Sequence, residues 1–210
     1  PGSTRGLEGL RAPMIGRDTE LRRLTQVIGA LVAYQQGQFV MIVGEAGLGK
    51  SRLVSEVITL SQKLAITILE GYSLTYRRVV SYWIFLDLLR NYLHVTTETP
   101  VAEVSATLSR KVIELLGTRS GEVLPYLEHI LSLPPTDPAT AQRIDYLDAG
   151  QLRQQIFLAM RDLLIAIAHH QPLILILEDL HWADEASVGF LNFLVDSVPQ
   201  TPLLIIVVSR

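Results

Sequence analysis

Gly44-Glu45-Ala46-Gly47-Leu48-Gly49-Lys50-Ser51 decides the reading of this chain. It matches G-x-x-x-x-G-K-[ST], the pattern of a phosphate-binding loop. Phe39-Val40-Met41-Ile42-Val43 runs into it, a short apolar stretch of strand formers. Arg52-Leu53-Val54-Ser55-Glu56-Val57-Ile58 leaves it, with Leu53, Val54, Val57 and Ile58 at helical spacing. Strand, glycine-rich loop and helix are the context this motif requires.

The residue types follow from the chemistry. Polyphosphate must lie against backbone N–H groups, so Gly44, Gly47 and Gly49 stand where a Cβ would obstruct it, with Glu45, Ala46 and Leu48 filling the loop. The start of the helix, from Lys50 through Ser51 to Arg52, adds unpaired N–H donors and the positive end of its dipole. Lys50 is expected on the β- and γ-phosphates of ATP or ADP, and the Ser51 hydroxyl on Mg²⁺.

Composition narrows the alternatives. The chain has 210 residues, 49% of them apolar, enough for one large domain or a core with a sizeable insertion. Its mean hydropathy of +0.31 is high, as expected of strands buried on both faces of a parallel sheet. No run reaches the length of a membrane span, and no signal-peptide pattern opens the sequence. With no cysteine, disulfides, thiolate catalysis and zinc–thiolate sites are excluded. A net charge of −3 without a basic tract argues against direct nucleic-acid binding. Cytoplasmic location is the default expectation.

Residues 1–13 read as a linker, and 14–210 as the phosphate-binding core. A helix is expected from Thr19 to Tyr34, its inner face formed by Leu21, Leu24, Val27, Ile28, Leu31 and Val32. The helix after the phosphate loop should end near Lys63, and a second strand should run from Ala65 to Glu70, bounded by Gly71. Residues 72–171 show little strand character and read as a helical insertion. Its expected helices are Tyr82 to Leu93, Val101 to Leu116, Glu122 to Leu131, and Gln151 to His169. Pro134-Pro135-Thr136-Asp137-Pro138 reads as a loop.

Leu173-Ile174-Leu175-Ile176-Leu177 is apolar throughout and must be a central buried strand; it ends in Glu178-Asp179. Asp184 is placed to cap a helix running from Glu185 to Ser197. Leu203 to Val208 gives another central strand, followed by Ser209-Arg210. Acids at the tip of a strand are the counterpart a phosphate loop needs. One helps hold Mg²⁺ through its bound waters, and the other orients or deprotonates the attacking water. Trp182 reads as a packing residue and Asp184 as a cap rather than a catalyst.

Residues 44–53 and the stretch Leu177-Glu178-Asp179-Leu180-His181-Trp182-Ala183-Asp184 resemble the STAND class of P-loop ATPases. They are most similar to the ATPase modules found beside bacterial class III adenylate/guanylate cyclase domains and in large transcriptional regulators with tetratricopeptide repeats. The resemblance implies an α/β P-loop NTPase three-layer sandwich with sheet order 5-1-4-3-2, here lacking strand 5 and the lid domains. It implies a signalling ATPase that binds and slowly hydrolyses ATP as a nucleotide-dependent switch, joined to effector domains of a longer chain. Met14-Ile15-Gly16-Arg17-Asp18 matches the family motif over the adenine, which assigns Ile15, Gly16 and Arg17 to the nucleotide. Ser209-Arg210 matches the sensor position, which makes Arg210 the contact to the γ-phosphate.

Many P-loop ATPases end the acidic strand in Asp-Glu; here the order is Glu178-Asp179. Glu178 aligns with the metal position and Asp179 with the water position. Aspartate is one methylene shorter, which favours slow turnover. Two other readings stay open: a non-hydrolysing nucleotide-bound scaffold, and a P-loop kinase with Arg77-Arg78 as its paired basic spot. A sheet without its fifth strand would leave Phe39 to Val43 as an open edge, so either self-association or covering of that edge by the chain's own N-terminal segment is expected.

Overall fold

All five residues from Leu173 to Leu177 are fully removed from solvent, as a run without polar alternation demands. They make up most of β3 (Leu173–Glu178) in a four-stranded sheet with β1 (Gln38–Val43), β2 (Thr67–Tyr72) and β4 (Leu203–Ser209). This structure, a computed structural model, describes residues 16–73 and 80–210. Every strand pairing is parallel, and the order is β1-β4-β3-β2. A fifth strand has no counterpart among the described residues.

Helices cover both faces, giving three layers. On one face α1 (Asp18–Tyr34) and α2 (Lys50–Ser61) bury Leu24, Ile28, Leu31, Leu53, Val54 and Val57 with Ile174, Ile176, Leu204 and Ile206. Between β2 and β3 come α3 (Trp83–Leu93), α4 (Val101–Leu116), α5 (Ser120–Ile130), α6 (Pro138–Asp145) and α7 (Ala149–His170). Side chains of α3, α4, α5, α7 and α8 (Glu185–Val195) form one core with Leu173, Leu175, Leu177, Leu203, Ile205 and Val207 on the opposite face. Each such Leu or Ile, fully buried, contributes about 1.5–3 kcal/mol of transfer free energy. Alternate residues of β3 and β4 thus feed two separate cores, and the sheet is stabilised from both sides.

Several local expectations need correction. The second strand begins and ends two residues later than expected, and Gly71 lies inside it. Gly71 is there because α3 crosses close by: a Cβ would stand 2.8 Å from the Ile84 carbonyl and 2.9 Å from the Leu88 side chain. Val32 is exposed, not part of the buried face of α1. Pro138, expected in a loop, opens the short helix α6.

The two edges of the sheet differ. Along β2, α3 supplies a side-chain partner: Asn91 Nδ2 donates to the Glu70 carbonyl at 2.9 Å, and the Asp87 carboxylate lies near the Tyr72 backbone. β1 has no strand on its outer side among the described residues. Its residues Val40 and Ile42 pack against the α1/α2 core, whereas Phe39, Met41 and Val43 are 37%, 55% and 61% exposed.

Candidate functional site

The C-terminal ends of the parallel strands gather the residues singled out in the sequence. β1 stops at Val43 and the chain turns through the glycine loop directly into α2. Gly47 and Gly49 adopt φ of 84° and 76°, the left-handed region that a side chain disfavours. The first helical hydrogen bond after the loop, Leu53 N to Gly49 O, spans 3.0 Å. The amides of the first turn therefore have no intrahelical acceptor and crown the loop with donors. Lys50 Nζ donates to the loop's own carbonyls, at 2.5 Å to Gly44 and 2.9 Å to Glu45.

The acidic strand approaches this loop at Ser51, whose side chain lies close enough to the carboxylate of Glu178, the last residue of β3, to favour its charged form. Burial, and then the negative charges of Glu70 and Asp179, hold the Glu178 carboxyl above the usual carboxylate range; the nearby Ser51 side chain works the other way. Asp179 follows in the left-handed region at φ 55°, ψ 38°, and its carbonyl accepts from Trp182 N at 2.8 Å. That bond closes a 3-10 turn over Leu180–Trp182.

Sequence reasoning missed the contribution of β2. Tyr72 lies opposite Glu178 in the strand register, and Ser73 N donates to the Glu178 carbonyl at 3.1 Å. The Tyr72 hydroxyl donates to Glu70 Oε2 at 2.9 Å. Burial first, and then that hydrogen bond, push the Tyr72 pKa up. Glu70 thus adds a carboxylate close enough for its charge to act on Glu178. Nothing in the local sequence signals this, because β2 and β3 are separated by the whole helical block.

Arg17 also reaches the loop. Its Nη2 donates to the Leu48 carbonyl at 2.9 Å, and its Nη1 pairs with Glu20 at 2.7 Å. Gly16 precedes it at φ 80°, whereas Ile15 lies outside the described residues, as do Arg77 and Arg78. Arg52 turns along its own helix to Glu56 at 2.9 Å. Arg210 is exposed just beyond β4, whose Ser209 is in register with Val43 at the start of the loop. Asp184 caps α8, as expected, accepting from Ser187 N at 2.9 Å and Ser187 Oγ at 2.6 Å.

The donors here suit a small hard cation, since Ser51, Glu178, Asp179 and Glu70 offer only oxygen. Among the described residues no three His, Asp or Glu side chains converge as a metal cage. A magnesium ion would therefore need phosphate oxygens and waters in addition to these side chains.

Comparison with known proteins points to one family. The family model described as AAA ATPase domain matches residues 13–206. The chain belongs to the AAA ATPase domain family. A Rhizobium meliloti (strain 1021) protein, "Uncharacterized protein R02095", is 24% identical over 202 residues. That match takes in 94% of this chain and 18% of the relative, so the AAA ATPase domain spans under a fifth of the relative's length. Among solved structures, cbiO1 from Clostridium perfringens, part of the ABC transporter complex cbiONQ, aligns over 83% of this chain and 68% of its own. Its TM-score is 0.34 at 14% identity. Among the described residues no helix is long and apolar enough to cross a membrane.

Proposed function

We propose that this AAA ATPase domain binds Mg·ATP across residues 44–52, hydrolyses it slowly, and serves as the nucleotide-dependent switch of a longer regulatory chain. The reading is supported above all by the glycine loop set between β1 and α2, with Gly47 and Gly49 at positive φ, and by Glu178 at the tip of β3 standing close to Ser51 at the start of α2. In it, loop and first-turn amides hold the phosphates and Lys50 exchanges its bonds to Gly44 and Glu45 for phosphate oxygens. Ser51 and Glu178 would hold a magnesium ion with its waters, and the ion would supply charge neutralisation for phosphoryl transfer. Asp179 orients the attacking water, and its short side chain favours slow turnover. Arg17 anchors the segment beside the adenine to the loop through the Leu48 carbonyl. Arg210 reads the γ-phosphate from the tip of β4. Effector domains of the same longer chain receive the state, as the resemblance to STAND ATPases implies.

Two measurements test this together: titration with a fluorescent ATP analogue, and phosphate release at saturating Mg·ATP. Binding with slow but magnesium-dependent release is expected. Binding with no release at all would favour the nucleotide-bound scaffold; absence of binding would refute both.

A further inference from the structure

Asp184 does more than end-cap one helix. Its carboxylate is 7% exposed and takes four donors from two helices distant in sequence. Oδ1 accepts from Tyr82 N at 2.9 Å and Ser187 N at 2.9 Å. Oδ2 accepts from Trp83 N at 3.1 Å and Ser187 Oγ at 2.6 Å. Each oxygen therefore bridges the start of α3, the first described helix of the insertion, to the start of α8.

The same carboxylate is tied rigidly to the acidic strand. From Asp179 the chain passes through the 3-10 turn over Leu180–Trp182, closed at 2.8 Å by Trp182 N on Asp179 O and at 2.9 Å by Ala183 N on Leu180 O. Asp184 follows directly. Both ends of this link are conformationally loaded. Asp179 sits at φ 55° and Tyr82 at φ 62°, the left-handed region. A bulky aromatic residue is seldom found there, and such a conformation persists only where its surroundings force it. Around Tyr82 the contacts are its own amide and that of Trp83 bonded to Asp184, and its buried ring set edge-on to Phe157.

We propose that Asp184 is a positioning residue that couples the acidic tip of β3 to the helical insertion, so that the nucleotide state at Glu178 and Asp179 sets the seating of α3. This rests on the nucleotide-binding reading above. A change at Asp179 has little slack to be absorbed in a hydrogen-bonded turn of three residues. It passes to Asp184, and thence to the first turn of α3, which lies against Gly71 and the β2 strand. The insertion is then the part of the domain that reports the nucleotide.

Asp184→Ser separates this coupling from simple capping. Serine remains a good N-cap for α8 but is too short to span to the α3 amides as well. Hydrogen exchange at residues 80–86, with and without a non-hydrolysable ATP analogue, reads the coupling, and a fluorescent analogue reads affinity. In the unmodified protein the nucleotide should change exchange there by about five-fold or more, the lower end of ordinary allosteric coupling. Asp184→Ser should keep nucleotide affinity within about three-fold while losing most of that nucleotide-dependent change, since only the link is cut. Should the serine variant fail to fold, Asp184→Asn, which keeps one accepting oxygen and sets an amide N–H against the donors on the other side, is read the same way. An unmodified protein that binds nucleotide without any change at 80–86 overturns the proposal. So does a folded variant with the full change. An unmodified protein that binds no nucleotide fails at the earlier step, and that result is distinguished by the affinity measurement alone.

Discussion

Lys50→Ala isolates the phosphate loop from the rest of the fold, and the expected size of its effect can be worked through. In the nucleotide-free protein Lys50 Nζ satisfies itself on the Gly44 and Glu45 carbonyls, at 2.5 and 2.9 Å. Those bonds are partly open to water, so each contributes about 0.5–1.5 kcal/mol at most. Against them stands the position of Lys50 as the first residue of α2, where a cation faces the positive end of the helix dipole. Removing it there relieves about 0.3–1 kcal/mol, and alanine is also the better helix former. The two effects offset in part, and the thermal midpoint of the free protein should fall only modestly. With nucleotide bound, the lost contact is a charge-assisted one to phosphate, about 1.5–3 kcal/mol. At about 1.4 kcal/mol per factor of ten, affinity should weaken roughly ten- to 150-fold. Titration of a fluorescent ATP analogue, paired with thermal unfolding, checks both halves. A folded Lys50→Ala protein with unchanged affinity would refute the phosphate-loop assignment.

The two acids should separate: Asp179→Asn is expected to keep Mg·ATP binding while abolishing phosphate release, and Glu178→Gln to weaken chiefly the magnesium dependence of binding. If binding is lost in the first and kept in the second, the assignments are reversed. Asp87, in α3, has its carboxyl pushed up from 3.8, by burial first, with the Tyr72 backbone and Arg90 opposing. The unfolded chain then loses this proton before the folded one, so stability falls as pH rises from about 3.8 through the raised folded value and is flat above it. Asp87→Asn should remove that slope in urea titrations run at several pH values; an identical pH profile would contradict it. Gly71→Ala should cost about 1–3 kcal/mol in urea unfolding, because its methyl meets the Ile84 carbonyl and Leu88. Finally, Met41→Lys, at an exposed position on β1, should lower any self-association seen by sedimentation at rising concentration. An association constant that does not change would place the contact elsewhere.

Local chemistry determined the parts of this protein whose physics is short-ranged. The run Leu173 to Leu177 could only be a doubly buried strand, and the glycine pattern at 44–49 followed by Lys50-Ser51 could only make sense at a strand-to-helix turn. The long helix α7 was legible from its apolar stripe, with Ile156, Met160, Leu163 and Ile167 buried as the spacing required. α6 was not legible. Its sequence Pro-Ala-Thr-Ala-Gln-Arg-Ile-Asp carries almost no apolar face, and Pro138, read as a loop residue, is instead the first residue of the helix. The end of β2 was misplaced because a glycine ordinarily punctuates a strand, whereas Gly71 serves the close approach of α3.

What only the tertiary structure decided are the meetings across the helical block. Glu70 and Tyr72 belong to the site solely because β2 lies beside β3 in parallel register, with Tyr72 opposite Glu178. Asp184 looked like an ordinary cap, and its second pair of donors, Tyr82 N and Trp83 N, comes from a helix about a hundred residues earlier in the chain. Propensity and periodicity act over a few residues, whereas these contacts depend on which strand the sheet sets next to which. The sequence therefore marked the glycine loop at the start of α2 and the acids at the tip of β3, and the packing of the sheet against α3 and α8 decided what surrounds them.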